Sequence, residues 1–278
     1  MARVSRGPAP TARLDGTTVA AIAVVAAVGR VTVHEGAHAL ACPVAGGRLQ
    51  AFSALYVDCA APDLAAAKLV DGIAPALDLL VAVALWAWLS RGGPSASPAR
   101  LLAYLFMVMS WLAGAGYLMV SGIAGIGDVA TVLQGWSPPW AWRAGAAVLG
   151  SVLFLGGVWM ALHVVGPVLG GAAGDDRVRA GLAQQIGVLA YAAALVATLA
   201  AAVVSPLGIG SLPSVAGLLA VAFGYSPLLW MGLWFADASF AKPAAPALTI
   251  ARDPRWWAAA VLVLVGFVGV LRRTLTFG

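Results

Sequence analysis

The sequence predicts an all-α polytopic membrane protein with about six to seven transmembrane helices and a short strand or hairpin segment after the first helix. Of the 278 residues, 62% are hydrophobic and only 10% are charged, whereas soluble domains carry roughly a quarter charged residues. The mean hydropathy is +0.94. Apolar runs of roughly 17–25 residues recur along the chain, and helices of that length cross a hydrocarbon core of about 30 Å.

The chain divides into a short tail and one membrane domain. Residues 1–16 are expected to form a cytoplasmic N-terminal tail, and residues 17–278 a single transmembrane domain with its core in 17–135 and additional helices in 140–271. The predicted spans cover residues 17–41, 73–89, 101–120, 142–165, 182–204, 215–235 and 256–271. Each span is bounded by Pro, Gly or charged residues, which interrupt apolar helices.

The pattern changes between the first two spans. Pro43 predicts the end of the first helix, and the glycine pair at residues 46–47 predicts a turn. Residues 48–58 alternate loosely and carry aromatic and β-branched side chains, which favours a strand or hairpin. Residues 63–70 are expected to form a short surface helix.

The basic residues predict orientation rather than nucleic-acid binding, because they are scattered singly between apolar runs and suit contact with lipid headgroups. With the N-terminus in the cytoplasm, ten Arg and Lys residues fall on the inside and five on the outside. We therefore expect a multi-pass protein of a prokaryotic inner or plasma membrane with a cytoplasmic N-terminus. Cys42 and Cys59 form either a disulfide on an oxidising side or two buried thiols.

The segment His34-Glu35-Gly36-Ala37-His38 lies near the end of the first span and reads H-E-x-x-H. On a helix the two histidines are one turn apart and point the same way. This pattern binds zinc through both imidazoles, and the glutamate between them acts as general base. Glu35 is the only glutamate in the chain, and ionisable groups inside a span are costly unless they are functional.

A hydrolytic zinc site needs a third protein ligand. Asp128 is the preferred candidate, because it follows a Gly-rich stretch on the same side of the membrane as His34; the alternative is a simple turn or helix cap. His163 is expected near the opposite side. Arg30 lies one turn before His34, and Asp78 is expected to pair with Arg30 or Lys68. We expect Arg30 and Asp78 to support the ligands rather than to bind the metal.

The motif from His34 to Ala41, set in the first span and followed by a Gly turn and a strand-like segment, resembles the site-2 protease family of intramembrane zinc metalloproteases. The resemblance covers about residues 17–133. It implies that Zn²⁺ is bound by His34, His38 and Asp128, since a later aspartate is the third ligand in that family. It also implies that Glu35 activates water to cleave a peptide bond of a membrane-embedded protein substrate.

Other functions fit the same residues. The protein is alternatively a non-proteolytic metal-handling protein or scaffold, or a zinc hydrolase of a lipid or small amide. A protease needs a place for an extended peptide, and Phe52 and Tyr56 are candidates for binding a substrate strand by β-addition. A transporter needs polar residues across the membrane, and the later spans carry few. The oligomeric state is left open.

Overall fold

The computed structural model describes residues 13–91, 97–170, 176–205, 207–237, 248–270 and 275–276. Most of these residues are helical. The elements in chain order are β1 (Arg13–Leu14), α1 (Gly16–Val44), β2 (Arg48–Phe52), β3 (Val57–Ala60), α2 (Leu64–Arg91), α3 (Pro98–Ala124), α4 (Asp128–Leu133), α5 (Pro139–Leu169), α6 (Asp176–Val204), α7 (Leu212–Gly224), α8 (Met231–Asp237), β4 (Thr249–Ile250), α9 (Pro254–Val265) and β5 (Leu275–Thr276).

Six helical segments in the described part of the chain are long and apolar enough to cross a membrane. They are α1, α2, α3, α5, α6 from Arg177, and the segment Leu212–Trp234, which joins α7 to α8 through the 3₁₀ turn Ser226–Trp230. A shorter apolar helix follows at Pro254–Gly269. The predicted all-α polytopic fold with a hairpin after the first helix is therefore confirmed.

Two predicted helix boundaries were wrong. Residues 63–70 do not form a separate surface helix, because α2 begins at Leu64 and continues through Pro75. Asp63 starts this helix by accepting a hydrogen bond from the Ala66 backbone N–H at 2.8 Å. The first helix also passes Pro43 and ends at Val44. In both helices a proline removes only one backbone donor, which apolar transmembrane helices tolerate.

Close backbone contacts pack α3 against α5. A Cβ added at Gly150 of α5 would lie 2.3 Å from the backbone nitrogen of Met119, and one added at Gly122 of α3 would lie 2.5 Å from that of Ala147. Glycine is thus required at both crossings, as in other small-residue contacts between membrane helices. This packing fixes the end of α3, from which the chain turns toward α1.

The β2–β3 hairpin inserts its tip among the helices. Ser53 and Ala54 at the tip are buried, and Ala54 packs against Val28 of α1 and Ala197 of α6. The Ser53 hydroxyl donates to the Tyr56 carbonyl at 3.0 Å and accepts from the Tyr56 backbone N–H at 3.1 Å. The turn thereby satisfies its own polar groups, which irregular backbone at membrane depth requires.

A disulfide and a third strand hold the hairpin. Cys42 and Cys59 are bonded, with their Cα atoms 5.9 Å apart, so the disulfide is the alternative that the structure adopts. It joins the end of α1, one turn after His38, to β3. On its other edge β2 pairs antiparallel with β5, which places Phe52 opposite Leu275. The hairpin is therefore attached to the helix that carries the H-E-x-x-H motif.

Candidate metal centre

Three predicted ligands converge where α1, α2 and α4 meet. His34 and His38 lie on one face of α1 and are 1% and 6% exposed. Asp128 begins α4, and its Oδ2 atom lies 3.3 Å from Nε2 of His34 and 3.4 Å from Nε2 of His38. All three ligand atoms lie within 4.8 Å of one another. The structure thus brings together the residues that the sequence selected.

Glycine conformations at the end of α3 deliver Asp128 to this position. Gly125 ends the helix in the left-handed region at φ 71°. Gly127 has φ 83° and ψ −177°, a combination that is essentially restricted to glycine. Arg143 of α5 donates hydrogen bonds to the carbonyl oxygens of Gly122 and Ile123 at 3.2 and 2.7 Å. This cation caps the end of α3 and was not anticipated from the sequence.

Hydrogen bonds at Nδ1 direct the other ring nitrogen of each histidine toward Asp128. Nδ1 of His38 lies 2.7 Å from the Val70 carbonyl oxygen, which only accepts, so Nδ1 carries a proton and Nε2 is the ring nitrogen that faces Asp128. Nδ1 of His34 lies 2.8 Å from Oδ2 of Asp78. A histidine held by a carboxylate or a carbonyl in this way is the usual arrangement of a metal ligand.

Arg30 and Asp78 form an ion pair beside the ligands, as the sequence suggested. The guanidinium contacts both carboxylate oxygens of Asp78, with Nε 3.2 Å from Oδ1 and a second contact from NH2 to Oδ2. It is also within electrostatic range of the Tyr225 phenol at the end of α7. Asp78 therefore screens the cation one turn from His34 and orients that ring at the same time.

The donor set and spacing fit a divalent metal. Oδ2 of Asp128 is buried, and its polar neighbours are the Nε2 atoms of His34 and His38. A tetrahedral zinc ion with bonds of about 2.0–2.2 Å sets its ligand atoms roughly 3.3–3.6 Å apart, and the separations of Asp128 Oδ2 from the two Nε2 atoms, 3.3 and 3.4 Å, lie in that range. Burial raises the pKa of Asp128, but the two imidazoles lower it more, so this pKa lies below its ordinary value and the carboxylate is ionised.

Glu35 is buried beside the ligands without belonging to the ligand group. Its carboxylate is within electrostatic range of His34, His38 and Asp128. Arg30 is engaged by Asp78, and the carboxylate of Asp128 lies against both imidazoles.

Tyr117 of α3 contacts His34, and the sequence did not predict this contact. Its ring stacks on the His34 ring with centroids 4.8 Å apart and planes at 18°. The sequence assigned no role to Asp71 of α2 either. Its carboxylate accepts a hydrogen bond from Thr131, and this contact connects α4 to α2. Both contacts join different helices, and no local sequence pattern signals them.

The remaining candidates lie away from the ligand group. The third histidine, His163, stacks on Trp159 of α5 with centroids 5.3 Å apart and is not a member of the ligand group. Phe52 belongs to β2, where its backbone pairs with Val57 on one side and Leu275 on the other. Tyr56 lies in the hairpin turn. The edge of β2 at Phe52 is therefore occupied by β5, and a peptide would have to displace that strand.

The fold and the clustered side chains define a helical multi-pass membrane protein with a candidate metal centre. No family model, curated protein or solved structure matches this chain. The geometry of the centre and the H-E-x-x-H motif of α1 are therefore the features that bear on function.

Proposed function

We propose that this protein is a zinc-dependent intramembrane endopeptidase, similar in its chemistry to the site-2 proteases. The observation that carries the proposal is the convergence of His34, His38 and Asp128 at a spacing that fits a metal ion, with Glu35 beside them and with both histidines and the glutamate on the first apolar helix. Three protein ligands leave one position for water, as in hydrolytic zinc sites.

In this proposal His34, His38 and Asp128 hold Zn²⁺, which supplies Lewis acidity toward water and the scissile carbonyl. Glu35 takes one proton from the attacking water while the water oxygen bonds to the carbonyl carbon. Glu35 then passes that proton to the amide nitrogen as the C–N bond breaks, which releases a carboxyl and an amine end. Asp78 and the Val70 carbonyl keep both imidazoles in the orientation that this chemistry needs.

The proposed substrate is a membrane-embedded protein segment that reaches the centre from the outer half of the bilayer. Ten basic residues inside against five outside support a cytoplasmic N-terminus. The Cys42–Cys59 disulfide supports the same orientation, since disulfides persist in oxidising compartments. The bond lies at the end of α1 that carries His38, so the centre would face the extracytoplasmic side.

The test uses the purified full chain in proteoliposomes with a synthetic transmembrane peptide. We expect about one zinc per chain by plasma mass spectrometry for the wild type and for Glu35→Gln, because the glutamate is not a ligand. Cleavage by Glu35→Gln should fall by roughly 10²–10⁴-fold, the usual contribution of a general base. The matched control is Asp58→Asn, which changes an exposed carboxylate on β3.

Two outcomes would contradict the proposal. One is a wild-type protein that contains no zinc after purification in zinc-supplemented buffer. The other is a Glu35→Gln variant that cleaves as fast as Asp58→Asn. Zinc binding without cleavage of any transmembrane peptide would instead favour the second candidate function, a non-proteolytic metal-binding membrane protein. That alternative is supported by the ligand geometry, which fits a metal whether or not hydrolysis follows.

A further inference from the structure

Tyr117 lies between two ligands that come from different elements. Its ring is parallel to His34 of α1. One edge of the ring lies close to the Gly127 turn. A Cβ added to Gly127 would lie 3.8 Å from Cδ1 and 3.9 Å from Cε1 of Tyr117. The side chain therefore reaches the metal centre from α3 and helps to set the separation of His34 and Asp128.

The hydroxyl of Tyr117 has no evident structural role. It is within electrostatic range of Asp128, Arg30, Glu35 and Asp78. No hydrogen bond to it is found among the described residues, although a phenol in such surroundings ordinarily finds a partner. The other donors near the centre are engaged, since Arg30 binds Asp78, and the Nδ1 proton of His38 goes to Val70.

We propose that Tyr117 is a further catalytic residue, whose hydroxyl donates a hydrogen bond to the oxygen of the scissile carbonyl. This inference rests on the proposed peptide hydrolysis. As the water oxygen bonds to the carbonyl carbon, the π electron pair moves onto the carbonyl oxygen, and the phenol shares its proton with the developing charge. The phenol keeps that proton when the carbonyl re-forms and the C–N bond breaks. Such a donor stabilises the transition state more than the ground state.

The test compares Tyr117→Phe with Tyr104→Phe in the full chain. Both residues lie on α3, and the buried Tyr104 hydroxyl donates to the Ala161 carbonyl at 3.3 Å, within the bundle core and outside the ligand group. We expect both variants to keep about one zinc per chain and similar melting temperatures, because the Tyr117→Phe ring still stacks on His34. Only Tyr117→Phe should lose kcat, by roughly 10²–10³-fold with KM little changed.

A binding measurement tests the same donor without turnover. N-phosphoryl-Leu-Ala presents a tetrahedral anion, whereas acetohydroxamate binds zinc through a planar group. Isothermal titration should show Tyr117→Phe binding the phosphoryl dipeptide about 10–100-fold more weakly than Tyr104→Phe does, with equal affinity for acetohydroxamate.

The outcomes separate this inference from the proposed function. If the wild type binds zinc but cleaves nothing, the proposed peptidase activity fails and the phosphoryl dipeptide comparison alone decides the role of Tyr117. Equal kcat and equal dipeptide affinity in the two variants would overturn the inference. So would loss of zinc in Tyr117→Phe, or a loss of activity in Ser121→Ala instead, since the buried Ser121 hydroxyl lies beside the Gly127 turn and has no hydrogen-bond partner among the described residues.

Discussion

Individual hydrogen bonds decide which ring nitrogens face the candidate metal site. His38 is oriented by a backbone carbonyl and His34 by the carboxylate of Asp78. Asp78 has a second role, because it neutralises Arg30 in a place where an unpaired cation would be costly and would repel a metal ion. Loss of this one carboxylate should therefore affect the centre without removing any ligand.

We predict that Asp78→Asn lowers zinc affinity by about 10–100-fold, the usual effect of removing a carboxylate behind a ligating histidine. The amide cannot balance the charge of Arg30, and it holds the His34 proton less strongly. Competition with a fluorescent zinc chelator measures the affinity. Asp58→Asn should leave that affinity unchanged, and equal affinities for the two variants would show that Asp78 does not support His34.

The Gly127 backbone gives a second prediction at this scale. Gly127→Ala should lower the free energy of unfolding by about 1–3 kcal/mol and weaken zinc binding, because alanine disfavours φ 83° and the turn presents Asp128. Gly145→Ala is the matched control, since Gly145 is helical and an added Cβ meets nothing within 4 Å. Thermal unfolding and zinc titration measure both effects. A Gly127→Ala variant that matches Gly145→Ala in both would contradict this account.

At the scale of elements, the hairpin is the part that links the centre to the rest of the fold. It is bonded to α1 through Cys42–Cys59, paired with β5, and inserted between α1 and α6. Gly47 packs over the disulfide, and a Cβ added there would lie 2.7 Å from Sγ of Cys59. The strand pairing of residues 48–60 is thus held at a fixed place beside the H-E-x-x-H helix.

Removal of the disulfide should loosen this element. The double variant Cys42→Ser/Cys59→Ser lacks the cross-link between two residues that are 17 positions apart in the sequence. We expect its free energy of unfolding to be lower by about 3 kcal/mol. Unfolding in mixed micelles, followed by tryptophan fluorescence, measures the difference. A reductant should destabilise the wild type to the same extent and leave the double variant unchanged. An effect of the reductant on the double variant would assign the change to something other than this bond.

At the scale of the whole molecule, the six long apolar helices establish a multi-pass membrane protein. The side on which the centre lies is a separate question, and the two lysines of the chain offer a direct test. The proposed orientation puts Lys68, at the start of α2 over the Trp136 ring, on the outer side. It puts Lys242, which lies outside the described residues, on the inner side.

We predict that a membrane-impermeant amine reagent labels Lys68 but not Lys242 in intact spheroplasts, with the reverse result in inverted vesicles. The physical reason is the positive-inside distribution of the basic residues. Peptide mass spectrometry identifies the labelled residue. Lys68→Arg and Lys242→Arg are the controls, because each leaves a single lysine. Labelling of Lys242 from the outside would reverse the orientation and place the candidate centre toward the cytoplasm.

The sequence by itself determined the features that depend on local physics. Composition and the length of apolar runs predicted the membrane class and most of the spans. Helical geometry places His34 and His38 together whatever surrounds them, and the glycines before Asp128 marked a turn. The two wrong helix boundaries, at Pro43 and before Pro75, arose because the surrounding bundle decides whether a proline ends a helix.

Only the tertiary structure decided the contacts between helices. The Val70 carbonyl that orients His38, the Tyr117 ring on His34 and the Arg143 cap on α3 each join residues from different helices. Such pairs depend on how helices cross and on their relative depth, which periodicity in one helix does not encode. Asp128 depends on both. The sequence alone indicated its residue type and the turn before it, whereas the 3.3 Å separation of its Oδ2 atom from Nε2 of His34 is a product of helix packing.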